Sequence, residues 1–103
     1  MSDIIKIEQQ QAIELLAQSG SEFINVFQNP GLSVEIYQPH LIDKQMPHER
    51  DEFYLIISGT GKFQLFDQIT DFKAGDFLFV PAHAEHRFID FTADFRTWVF
   101  FIN

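Results

Sequence analysis

Cysteine is absent from this 103-residue chain. Its absence excludes disulfides, thiolate metal sites and a cysteine nucleophile, and it suits a reducing compartment. Basic residues are few: seven Lys and Arg stand against fifteen Asp and Glu, for a formal net charge of -8. Such a surface repels phosphate backbones and anionic bilayers, so neither nucleic acid nor a membrane is expected as a partner. The acids are spread from Asp3 to Asp94 and read as a solvated surface. No apolar run approaches the roughly 20 residues of a membrane helix. The opening MSDIIKIEQQ carries no signal-peptide core, so a cytoplasmic location is the expectation. Glycine is scarce, at five. Gly59-Thr60-Gly61 joins two strand patterns and opens no helix, so it is no phosphate loop. Ser19, Ser21, Ser33 and Ser58 lie in no nucleophile elbow. No carboxylate pair has a glycosidase spacing, and there is no internal repeat, low-complexity tract or linker.

What the chain does have is apolar bulk. Hydrophobic residues make up 46% of it, and thirteen are phenylalanine. The length suits one domain over residues 1–103, burying about two thirds of its unfolded surface. The N-terminal segment, residues 1–20, holds one helix. Glu8 to Gln18 is rich in helix formers, with Ala12, Leu15 and Leu16 at helical spacing and Ser19-Gly20 as the stop. So short a helix must pack on something. From residue 22 to 103 the pattern is β. Strands are predicted at Glu22–Gln28, Leu32–Gln38, Phe53–Ser58, Lys62–Asp67, Gln68–Lys73, Phe77–Val80, His86–Phe91 and Phe95–Ile102, with turn residues between them. Short strands at regular spacing favour an antiparallel sandwich or barrel, closed to remove sheet edges.

The stretch PHERDEFYLIISGTG, Pro47 to Gly61, combines His48 and Glu52 with a large apolar run. On one straight strand these two would lie roughly 13 Å apart, too far to share an ion, so a common role needs a turn at Glu49-Arg50-Asp51. Glu52 then points inward with Tyr54 and Ile56, and Phe53, Leu55 and Ile57 take the other face. That face is apolar too, so a helix, a second sheet or a partner must cover it. GDFLFVPAHAEHRF, Gly75 to Phe88, runs in parallel: an apolar strand, a proline, then His86. Taken singly, His48 reads equally as a strand-end histidine on a carbonyl, Glu52 as a solvated turn acid and His86 as a core histidine. Phe63, Phe77, Phe79, Phe88, Phe95 and Phe100 read as core by their strand spacing. Tyr54, Phe63, Phe79 and Trp98 are also candidates to line an apolar pocket.

These residues resemble the cupin superfamily, whose first motif runs G-x5-H-x-H-x3-4-E-x6-G and whose second runs G-x5-P-x-G-x2-H-x3-N. His48, Glu52 and Gly59 match the first; Gly75, Pro81 and His86 match the second. The likeness spans about Val34 to Ile102. His40 stands for the first glycine, Met46 for the first histidine, His83 for the second-motif glycine and Asp90 for the closing asparagine. A thioether is a poor ligand for a divalent first-row ion. Met46 is therefore expected as a pocket-wall residue on the face of His48, and Gln45 is a weaker candidate oxygen donor.

The resemblance implies a mostly β fold, a cupin-type antiparallel β-barrel or jelly roll with one short N-terminal helix. It implies a divalent metal ion (Fe, Mn, Zn or Ni) on His48, Glu52 and His86. Two histidines and a carboxylate leave open positions on such an ion. The expected function is to bind or act on a small-molecule ligand in the barrel, as a metal-dependent oxygenase or isomerase. A non-catalytic binder or sensor and a degenerate cupin without metal are the competing readings, since one fold hosts all three. The doubly apolar strand from Phe53 to Ile57 further predicts a homodimer.

Overall fold

Alternation along the strands, broken by turn residues, builds two facing antiparallel sheets and one helix in a computed structural model that describes residues 3–103. Helix α1 spans Gln9–Ser19 and stops where Gly20 takes a left-handed φ of 70°. The strands are β1 (Phe23–Asn29), β2 (Leu32–Tyr37), β3 (Asp51–Ser58), β4 (Gly61–Leu65), β5 (Gln68–Phe72), β6 (Phe77–Val80), β7 (His86–Ile89) and β8 (Arg96–Ile102). The Asn29 carboxamide oxygen accepts from Gly31 N and closes the β1–β2 turn. One sheet has the order β1-β2-β8-β3-β6; the other is β5-β4-β7. The chain crosses between them after β3. There a Cβ on Gly59 would lie 2.5 Å from Phe95 Cα, and φ is 86°, so only glycine fits. Continuous closure into one hydrogen-bonded ring is not formed: each sheet keeps its own register, and the crossings redirect the chain instead of extending a ladder. Among the described residues no helix is long and apolar enough to cross a membrane.

The core between the sheets holds Tyr37, Tyr54, Ile56, Phe63, Phe72, Val80, Phe88, Phe95, Val99 and Phe101. Its aromatic rings meet tilted or edge-on, as at Tyr54–Phe88 and Phe88–Phe95, which favours their quadrupoles. Glu52, Tyr54 and Ile56 of β3 all face this core, as alternation requires. On β2 the register with β8 places Ser33, Glu35 and Tyr37 on the inner face, and Leu32, Val34 and Ile36 on the outer face. Helix α1 covers part of that outer face, packing Ala12 and Leu16 on Ile36 with Ile57 and Trp98 alongside. Leu15, the third apolar residue at helical spacing, is exposed.

Four aromatic placements differ from the sequence reading. Val80 and Leu78 turn inward on β6, so Phe77 and Phe79 must point out; they are 60% and 46% exposed. Phe79 therefore lies outside the core and lines, with Phe63 and Leu78, a separate groove of about 220 Å³ away from His48. Phe100 lies on the same outer face, where Phe53 stacks on it at 4.5 Å and tilts against Phe77 at 5.2 Å. Trp98 sits under α1, its indole Nε1 donating to Gln9 Oε1, and not at the mouth of the fold.

Candidate metal centre

His48 precedes β3 in an irregular segment, and the chain bends at Glu49-Arg50 before Glu52 enters the strand. Glu52 lies mid-sheet, paired with Phe101 of β8 and Val80 of β6. His86 opens β7 on the opposing sheet, facing Leu65. The fold thus brings together two groups 34 positions apart. Glu52 Oε1 lies 2.8 Å from His86 Nε2 and 3.7 Å from His48 Nε2. One ligand atom from each residue falls within 4.8 Å of the others, a group able to hold a metal ion.

The environment fits a cation at this point. Glu52 is fully buried, His86 is buried and His48 half-buried. A bare carboxylate in such a place is costly unless paired. His86 Nδ1 lies 2.9 Å from the Ala84 carbonyl, which can only accept, so Nδ1 carries the hydrogen and the Nε2 lone pair faces Glu52. Two acceptors then confront each other at 2.8 Å. Accordingly His48 Nε2, His86 Nε2 and both Glu52 oxygens have no aligned hydrogen-bond partner, although all are buried. A proton or a metal ion between them removes the conflict. Without a metal, burial opposes charging of His86, but the Glu52 carboxylate and the Ala84 carbonyl outweigh it and raise the imidazole above its ordinary range.

The other site candidates scatter. Tyr54 and Phe63 are buried behind the site, their rings 6.3 Å from that of His86. Burial first, and then the charge of Glu52, push the Tyr54 phenol well up, so it stays protonated. Its hydroxyl donates to Gln45 Oε1 at 3.2 Å. Gln45 thus accepts from Tyr54 through Oε1 and donates to Asp43 through Nε2. Met46 is 73% exposed. Strand alternation would place it beside His48, but residues 43–48 form no strand, so the period fails and Met46 is not a pocket wall. His40 lines a separate groove beside α1. His83 has a left-handed φ of 68°, and its N–H donates to the His48 carbonyl at 2.6 Å, holding the two motif segments together. That φ is the physical reason a glycine suits its position.

Sequence reasoning missed Asp43. It is buried and accepts from Tyr37 Oη (2.7 Å), Phe88 N (2.8 Å), Gln45 N (3.0 Å) and Gln45 Nε2 (3.1 Å). One carboxylate therefore ties the segment between Pro39 and Pro47 to both sheets. Burial, then the Asp43 charge, push the Tyr37 phenol far up. Beside His48 opens a cavity of about 320 Å³, lined among others by Glu35, Tyr37, Lys44, Arg50 and Phe101. Burial raises the Glu35 carboxyl, with Arg50 pulling it back and Glu52 adding to the rise.

Residues 33–99 match the cupin domain family. An uncharacterised protein of Streptomyces coelicolor is 28% identical over 87 residues, covering 82% of this chain and 83% of that one. A cupin-2 domain protein from Shewanella frigidimarina superposes with a TM-score of 0.73 at 16% identity, covering 94% of each chain. The DMSP lyase DddQ of Ruegeria pomeroyi superposes at 0.62 and 21% identity, covering 73% of this chain and 40% of its own. With the two-sheet fold and both motif segments meeting at one buried point, the family match is decisive: the chain belongs to the cupin family.

Proposed function

We propose that this protein holds one divalent metal ion on His48, Glu52 and His86 and acts on a small organic molecule that enters through the adjoining cavity. The observation that carries the reading is the buried, unaligned 2.8 Å approach of Glu52 Oε1 and His86 Nε2, with His48 completing the group. A nitrogen–nitrogen–carboxylate set suits Fe(II), Mn(II), Zn(II) or Ni(II) and leaves coordination positions open. When bound, such an ion supplies Lewis acidity to a substrate oxygen.

The chain's own residues do the rest. Ala84 fixes the His86 tautomer and ring direction. Tyr54, Phe63 and Phe101 wall the site and exclude water, which strengthens its electrostatics. The half-buried His48 is the ligand that faces the cavity, so substrate arrives on its side. The reaction class is an oxygenase or isomerase. That the same fold carries a lyase in the Ruegeria protein shows how far its chemistry ranges.

Elemental analysis of the purified protein, before and after reconstitution, tests the metal. One ion per chain is expected, and it should be lost on chelation. Substoichiometric metal under every loading condition overturns the proposal. Substrate turnover with oxygen uptake, seen only in the Fe(II) form, selects the oxygenase; oxygen-independent turnover with Zn(II) or Mn(II) selects the isomerase.

A further inference from the structure

The cavity beside His48 contains a cation that the metal does not use. Arg50 follows His48 by two residues, and its guanidinium carbon lies 4.5 Å from the centre of the Phe101 ring. Its Nη1 donates to Asn103 Oδ1 at 2.7 Å and to Ser33 Oγ at 3.5 Å. The head group is thus oriented by a ring face and the Asn103 carboxamide; Glu35 in the same cavity attracts it at longer range, but no carboxylate pairs with it directly. Among the described residues no ion pair within 4.0 Å involves Arg50, nor Lys44 in the same cavity.

The same Phe101 ring meets the His48 ring edge-on, with centres 4.9 Å apart. The separations of 4.5 Å and 4.9 Å together bound the distance from the guanidinium carbon to the His48 ring at 9.4 Å. One short molecule can therefore touch both. Glu22 and Glu35 also line the cavity, so a doubly charged phosphate there meets more repulsion than a singly charged group does. A planar carboxylate matches the free edge of a guanidinium.

We propose that the ligand of this cavity is a small organic acid, with its carboxylate on Arg50 and an oxygen donor at its far end directed to the metal held by His48, Glu52 and His86. The far end rests on the metal reading above; the Arg50 half does not. Lys44 adds attraction at longer range, and Phe101 supplies the apolar floor between the two ends.

The test uses the full chain loaded with Zn(II) and a shape-matched pair of probes, glutarate and its neutral diamide glutaramide, titrated calorimetrically. Glutarate is expected to saturate one site per chain and to bind about tenfold or more tighter than the diamide, the scale of one charge-assisted hydrogen bond. Arg50→Gln is expected to bind glutarate about tenfold more weakly than the wild type does and to leave diamide binding unchanged, since only the Arg50 end of glutarate is altered. Arg50→Lys should recover part of that loss, and Lys6→Gln, an equal charge change at a residue that does not line the cavity, should change nothing. Glutarate affinity unchanged in Arg50→Gln, or equal binding of the two probes by the wild type, overturns the inference while the metal reading stands. If Zn(II) is not retained, the metal reading fails, and acetate added to the metal-free protein decides the Arg50 half. Movement of the Arg50 Nε–Hε NMR resonance supports it, and a resonance that does not respond overturns it.

Discussion

Glu52→Gln separates the metal reading from a purely structural role, because the two predict opposite changes in stability. Glu52 is fully buried, and its Oε1 sits 2.8 Å from an imidazole nitrogen. In the metal-free protein this charge is a burden. At a pH high enough to leave His86 uncharged, the carboxylate faces a lone pair, and a buried charge left without a partner costs about 3–5 kcal/mol. The glutamine amide can donate to His86 Nε2, which the carboxylate cannot. At that pH metal-free Glu52→Gln should therefore melt no lower than the wild type. At about 1 kcal/mol gained, it should melt roughly 4–8 °C higher for a domain of this size. Metal reverses the order. An ion at 100 times its Kd stabilises the folded state by about 2.7 kcal/mol, or roughly 10–20 °C in Tm. The wild type should show that rise with at least one of Zn(II), Mn(II), Ni(II) or Fe(II), and Glu52→Gln should show almost none. Thermal melts followed by circular dichroism, with chelator and with each metal, measure both effects. An equal metal-dependent rise in the variant, or a metal-free variant that melts several degrees below the wild type at that pH, refutes the reasoning.

Other perturbations probe the same architecture. His86→Ala should leave the protein with little metal by elemental analysis; it also strands Glu52 without a partner, so the metal-free variant should lose about 3–5 kcal/mol in urea denaturation. Undiminished metal content would remove His86 from the ligand set. Asp43→Ala deprives Tyr37 Oη and Phe88 N of their acceptor inside the fold, and a loss of about 2–5 kcal/mol at unchanged m is expected; less than 1 kcal/mol would show that the segment from Pro39 to Pro47 is not held by this carboxylate. Met46→His should not tighten metal binding in a competitive titration, because the side chain faces solvent; a clear gain would mean that the segment turns over. Finally, we propose that the outer face made by Phe53, Leu55, Phe77, Phe79 and Phe100, which α1 leaves uncovered, pairs with a second copy about a two-fold axis. Sedimentation equilibrium should give twice the 12.0 kDa chain mass, and Phe77→Asp should return it to the single mass; a wild-type monomer at micromolar concentration would sink this reading.

Much of this protein is written in local periodicity. The alternation in β3 decides that Glu52 shares a face with Tyr54 and Ile56, because successive side chains on a strand must point to opposite sides. The helix stop at Gly20 is equally local and legible in the sequence, and so is the β1–β2 turn, where the Asn29 side chain bonds a backbone group two residues on. The coming together of His48, Glu52 and His86 was readable only through the spacing of two motifs, since nothing local links residues on different sheets.

Tertiary structure decided everything that depends on which side is inside. Phe-Leu-Phe-Val in β6 is apolar on both faces, so alternation alone cannot say whether Phe79 or Val80 turns inward; pairing with β3 does. Trp98 alternates correctly, yet lies under a helix that packs from the outer side. Met46 escaped because period-two reasoning holds only within a strand, and the chain there is irregular. Asp43 escaped because one of its partners is the Phe88 backbone, 45 residues away, and the order of a chain carries no trace of such a bond. Covalent geometry sets the alternation of side chains within each element, and non-local pairing and burial choose which of the two faces becomes the interior.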